Sequence, residues 1–124
     1  MDESLFDQVG GESFFVRLVD AFYAAVAADE ILRPMYPDDL APARRHLTLF
    51  LIQYWGGPRT YQNERGHPRL RLRHAPFRVT KEARDAWLRA MASALESVRG
   101  ELSDEQFDEL TAYFEMAANQ MRNV

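Results

Sequence analysis

The chain carries three histidines, His46, His67 and His74, and no cysteine. Without thiols there is no disulfide framework, cysteine-bound zinc, iron–sulfur cluster, thiol nucleophile or covalent c-type haem attachment. The histidine spacing fits no zinc pattern. Glu64-x-x-His67 has the spacing of a carboxylate-bridged di-iron ligand pair, but it occurs once, and Gly66 and Pro68 break the helix it needs. His67 therefore reads as a capped loop histidine. There is no serine nucleophile elbow, P-loop or glycine-rich dinucleotide fingerprint. Gly10-Gly11 and Gly56-Gly57 read as helix boundaries.

Two other groups of residues could do chemistry. Tyr23, Tyr36 and Trp87 are large aromatics with a polar tip. When buried, each needs a partner, and the Trp indole N–H can only donate. Three such donors on separate elements matter if they converge on one ligand. The second group is a basic stretch, Arg59, Arg65, Arg69, Arg71, Arg73 and Arg78. It could contact phosphates, pair with the acidic final helix, hold carboxylates of a bound cofactor or form a solvated edge. Its aromatics, Tyr61 and Phe77, are sparse for a nucleic-acid stacking platform, and nucleic acid is not an expected partner.

These residues must be positioned by helices. Phe15, Val19, Phe22, Tyr23 and Val26 recur at helical spacing and predict a helix from Glu12 to Ala28. Pro34 and Pro37 restrict the next stretch to a short helical turn around Glu30–Arg33. A second long helix begins after Asp38-Asp39, with Pro42 in its first turn and Ala43, Leu47, Phe50, Leu51 and Tyr54 on one face, and stops at Gly56-Gly57-Pro58. A third opens at Thr80, carries Trp87, Leu88, Met91, Leu95 and Val98, and ends at Gly100. A fourth opens with the capping box Ser103-x-x-Gln106 and carries Phe107, Leu110, Phe114, Ala117 and Met121. Residues 58–79 read as a long connection. Arg69-Leu70-Arg71-Leu72-Arg73 alternates like a strand, but no partner strand exists, so the segment is expected as loop or short helix.

A chain of 124 residues that is 47% hydrophobic and 12% aromatic can bury a core and forms one domain, 1–124. The formal net charge of −4 argues against a polyanion binder. No apolar run is long enough for a membrane span, and the acidic start lacks a signal-peptide pattern. A cytoplasmic, all-α protein is expected.

Taken in order, Val9-Gly10-Gly11, Phe22-Tyr23, Met35-Tyr36-Pro37, Gln53-Tyr54-Trp55-Gly56-Gly57-Pro58, Arg65-Gly66-His67-Pro68-Arg69-Leu70, Arg73-His74-Ala75-Pro76-Phe77 and Asp85-Ala86-Trp87 resemble the truncated haemoglobins, and among them the second group, the O type. The resemblance spans nearly the whole chain. It implies a two-over-two helical sandwich holding one non-covalent haem b. The first and second long helices would form one layer, the third and fourth the other.

On this resemblance His74 is the proximal iron ligand, a role a neutral imidazole performs well. Tyr23, Tyr36 and Trp87 match the distal polar residues, with Trp87 and Tyr36 as main donors and Tyr23 tuning Tyr36. Ala43 and Leu47 face the ligand; Ala43 offers no donor and leaves a way in. His46 stands where the group commonly has an arginine, and would contact a haem propionate or solvent, or swing in as a sixth ligand. Phe50, Leu51, Phe77, Met91 and Met116 would pack on the porphyrin. Tyr61, Arg73 and Arg78 are candidates for the propionates.

The implied function is binding of O2 and other diatomic ligands, CO and NO among them, with NO or peroxide turnover open. Turnover needs a separate reductase, because no flavin or nicotinamide motif is present. Monomer and homo-oligomer both fit. The competing reading is a haem-free helical interaction module using the arginine-rich edge.

Overall fold

The computed structural model describes residues 3–124. Seven α-helices follow one another: α1 (Leu5–Gln8), α2 (Glu12–Ala28), α3 (Ala41–Tyr54), α4 (Thr60–Arg65), α5 (Leu70–His74), α6 (Lys81–Ser97) and α7 (Asp104–Met121). Two 3-10 turns, Arg33–Met35 and Arg99–Glu101, complete the helical content, and no strand occurs among the described residues. The pairs α2/α3 and α6/α7 form two layers joined by extensive α2–α6 packing, as expected for a two-over-two sandwich.

The core follows the helical stripes. Phe14, Phe15, Leu18, Val19, Phe22, Tyr23 and Val26 of α2 are all buried, and meet Met91, Ala94 and Leu95 of α6 and Leu110 and Phe114 of α7. Tyr54 departs from its expected face: its ring is about half exposed, stacked 4.3 Å from Tyr113 at the end of α3.

The helix ends obey local chemistry. Thr80 Oγ1 accepts from Ala83 N at 3.1 Å, and the Ser103/Gln106 box is complete. Gly56, at φ +105°, ends α3, and Gly57 N returns to Ile52 O at 2.8 Å. A Cβ on Gly56 would lie 2.5 Å from the Ser4 Cβ, and one on Gly57 2.6 Å from Ile52 Cγ2 and 2.8 Å from the Phe6 ring.

Two boundaries differ from expectation, and the short helices α1 and α4 are additional to it, whereas α5 takes one of the two expected forms, a short helix. The turn expected at Glu30–Arg33 lies at Arg33–Met35. Asp29 Oδ1 accepts from Ile31 N and Leu32 N, which holds these residues in a turn until the 3-10 helix begins at Arg33, with Pro34 near its start. The third long helix ends at Ser97, and Gly100 sits within the following 3-10 turn. Residues 58–79 contain two short helices, α4 and α5, and the alternating arginine–leucine stretch is the second of them. Helix α1, capped by Ser4 Oγ, carries no periodic signal at four residues.

Candidate functional site

Tyr23 projects from α2, Tyr36 follows the 3-10 turn, and Trp87 projects from α6. The fold brings them together. The Tyr23 and Tyr36 rings meet edge to face at 5.8 Å, and the Trp87 indole lies near enough to the Tyr36 hydroxyl to act on its pKa. Phe22, 5.3 Å from Trp87, and Phe114, 5.9 Å away, fix the indole. Burial pushes both phenols above their ordinary pKa; the neighbouring Trp87 indole offsets part of the rise at Tyr36. Both hydroxyls therefore keep their protons across the physiological range. The Trp87 indole N–H can only donate, and each phenol has a proton of its own to give. Ala43 and Leu47 are half-buried on α3, packed against the core.

His74 ends α5. Its Nδ1 donates to Leu70 O at 2.7 Å, one turn back. That bond assigns the proton to Nδ1 and leaves Nε2 with its lone pair free, the tautomer and orientation that suit a metal-bound histidine. Helix α5 contains no buried residue. It starts at Arg69, which takes the left-handed φ of 44°, and it is tied down by Arg73, whose Nε donates to Pro68 O at 2.7 Å and Nη2 to Arg65 O at 2.9 Å.

The His46 ring lies on the outer side of α3. Arg65 Nη1 donates to its Nε2 at 3.1 Å. Partial burial and the charges of Arg65 and Arg45 hold its pKa below the usual imidazole value. The nearby Arg45 makes a two-pronged ion pair with Glu64, at 2.6 and 2.7 Å. This pair is what Glu64 does. His67 Nδ1 accepts from Arg69 N at 3.1 Å, and the described residues contain no cluster of metal-ligating side chains.

The remaining candidates divide by environment. Leu51 and Met91 are each 1% exposed and Phe50 is buried, all within the core. Tyr61 is buried beneath the guanidinium groups of Arg65 and Arg73, 5.8 and 6.0 Å from its ring centre. Phe77 is 53% exposed and Met116 47% exposed, so neither is covered by protein. Arg78 is exposed. An open cleft of about 460 Å³ lies between α5, α7 and the end of α3, lined by Leu70, Phe50, Tyr113 and Met116 among others. It includes neither His74 nor the three aromatic donors.

These side chains fit a haem. One histidine presents a free Nε2 from a helix that the protein core does not bury. Large apolar side chains beside it, Phe77 and Met116, lack protein cover. A set of neutral donors meets on separate elements, and guanidinium and imidazole groups cluster around Tyr61. Two contributors carry no pattern in the sequence: the Leu70 carbonyl, which is backbone, and Asn123, which lies beyond the periodic stretch of α7 and bonds the segment after His74.

The bacterial-like globin family model matches residues 4–123. The chain is 44% identical over 115 residues to the group 2 truncated haemoglobin YjbI of Bacillus subtilis (strain 168), covering 91% of this chain and 84% of that protein. A thermostable haemoglobin of the actinobacterium Thermobifida fusca superposes with a TM-score of 0.95 at 50% identity, over 98% of each chain. The truncated oxygen-avid haemoglobin of Bacillus subtilis gives a TM-score of 0.91 at 40% identity, over 98% of this chain and 100% of that one. Sequence and fold agree, and the chain belongs to the bacterial-like globins, among the group 2 truncated haemoglobins, which bind haem b.

Proposed function

We propose that His74 is the proximal iron ligand and that Tyr36, backed by Trp87 and Tyr23, stabilises O2 and other diatomic ligands on the opposite side. The observation that carries this reading is the 2.7 Å bond from His74 Nδ1 to Leu70 O, which frees Nε2 on a helix with no buried residue. Haem, when bound, supplies a ferrous iron that takes a diatomic ligand.

The chain's own residues do the rest. Trp87 and Tyr36 bring an indole N–H and a phenol O–H close together, as donors for whatever acceptor enters. Tyr23 holds the Tyr36 ring by edge contact. Phe22 and Phe114 pack against the indole and keep water out. Donors fixed in advance pay no reorganisation when negative charge gathers on a ligand. A hydrogen bond to a charged group contributes about 1.5–3 kcal/mol, so one such donor slows ligand loss by roughly ten- to a hundredfold. This favours retention of O2, or activation of NO or peroxide, over fast release. Turnover would draw electrons from a separate reductase, which a cytoplasmic setting provides.

On the haem edge, His46, Arg65, Tyr61 and Arg73 form the group suited to propionates. The bond from Arg65 to His46 Nε2 favours that role over a sixth iron ligand. The haem-free interaction module is disfavoured by the same arginines. Arg59, Arg65 and Arg73 are committed to Gln62, His46 and backbone carbonyls, so half of the basic stretch is not a free surface.

The test is the absorption spectrum of protein supplied with one equivalent of haemin. A stoichiometric Soret band, largely lost in His74→Ala, is expected. A colourless protein that still melts cooperatively as a helical domain would overturn the haem reading for this chain.

A further inference from the structure

The proximal helix is poorly supported by packing, and the structure supplies a substitute from the far end of α7. Asn123 is two residues past Met121, where α7 stops. Its side-chain Oδ1 accepts from Val79 N at 2.9 Å, and its Nδ2 donates to Phe77 O at 2.9 Å and, more weakly, to His74 O at 3.4 Å. Its own N–H donates to Val79 O at 3.0 Å. One asparagine thus satisfies both peptide groups of the buried Val79 and two carbonyls of the five-residue step that leads away from His74. The amide orientation follows from the network: only Oδ1 can take the Val79 proton, and only Nδ2 can give to carbonyls.

The geometry points to Asn123 as a positioning residue for the proximal histidine. This rests on the reading of His74 as the iron ligand. His74 is bracketed. Before it, the two bonds of Arg73 to Pro68 O and Arg65 O hold the start of α5. After it, Asn123 holds the carbonyl of His74 itself and the chain through Val79. Between the two there is no buried side chain in α5. The tilt of the imidazole is then set by these hydrogen bonds, because a metal-bound histidine takes its orientation from the groups that fix its backbone and its other ring nitrogen. Aspartate in place of Asn123 would keep an acceptor for Val79 N–H and lose the donor to Phe77 O. Alanine would lose both. Both would keep the backbone bond to Val79 O.

The experiment uses the full chain loaded with haem. The iron–histidine stretching band of the ferrous, ligand-free protein is read by resonance Raman, the rate of haem transfer to excess apomyoglobin is timed, and Val79 amide exchange is followed. For Asn123→Ala the band is expected to broaden and fall in frequency. Haem transfer should be about tenfold faster, as the loss of one to two ordinary hydrogen bonds gives. Asn123→Asp should fall between alanine and the parent. Asn119→Ala, which removes a side-chain bond to Arg84 from the same helix, should leave the band unchanged. A parent-like band and transfer rate in Asn123→Ala, with Val79 exchange accelerated, would show a loop tie without influence on the histidine and overturn the proposal. Failure of the underlying reading looks different: His74→Ala would then keep the iron–histidine band of the parent.

Discussion

The Trp87 indole N–H can only donate, and it sits near the Tyr36 hydroxyl. On the proposed reading it is one of the donors that hold a ligand. Replacing it by phenylalanine keeps the ring contacts with Phe22 and Phe114 but removes the proton. Trp87→Phe is expected to raise the O2 dissociation rate by about tenfold or more, read by stopped-flow replacement of O2 with CO. A rate equal to the parent's would remove Trp87 from the donor set. His46 makes a prediction of the opposite kind, on stability. Its folded pKa lies below the ordinary imidazole value because burial and the Arg65 and Arg45 charges disfavour the proton. The unfolded chain then binds more protons as pH falls. Stability is full above about pH 6.5 and declines below it. His46→Gln should lose less stability than the parent between pH 7.5 and 5.5 in urea melts. His74 and Tyr36 stand out in the sequence as candidates through resemblance alone. Their partners do not: Asn123 reaches its partners across 44 to 49 residues of chain, and no local pattern encodes such a bond.

Elements were legible where their own residues decide them. The long helices carry stripes and caps that local physics reads directly, and Thr80 and Ser103 start α6 and α7 as their chemistry dictates. Thr80→Ala should cost about 1 kcal/mol in urea unfolding, and Thr80→Ser should restore most of it. Helix α5 lies at the other extreme. Its alternation of arginine and leucine suits a strand, since Leu70 and Leu72 would share one side of an extended chain and the arginines the other. Nothing in the fold offers a strand to pair with, so the backbone pairs with itself, from Arg73 N to Arg69 O at 3.0 Å. The price of that choice is visible in Leu72, which is left 66% exposed. Helix α4 escaped notice for a related reason: at six residues between Pro58 and Gly66 it is too short to show a period.

At the scale of the molecule, α2, α6 and α7 share a continuous core, whereas α5 contributes nothing buried to it. The two parts should respond differently to loss of the cofactor. In the haem-free protein, amides of α2 and α6 are expected to remain strongly protected from hydrogen exchange, and those of residues 70–73 to exchange close to the rate of an unstructured chain. Haem should slow exchange in that segment selectively and raise the melting temperature in proportion to its affinity. Uniform protection in the haem-free chain would contradict this division.

The glycine pair that closes α3 has a consequence for how the chain can vary. Gly56 and Gly57 each lie where any β-carbon would run into Ser4, Phe6 or Ile52. Every missense change reachable from a glycine codon by one base introduces such a carbon. Neither position can therefore drift by single steps. Gly56 meets the Ser4 Cβ and also needs its positive φ, and Gly57 meets Ile52 of its own helix as well as Phe6 of α1. Ser4, Phe6 and the end of α3 are in this sense one hereditary unit, separated by about fifty positions in the gene and in direct contact in space.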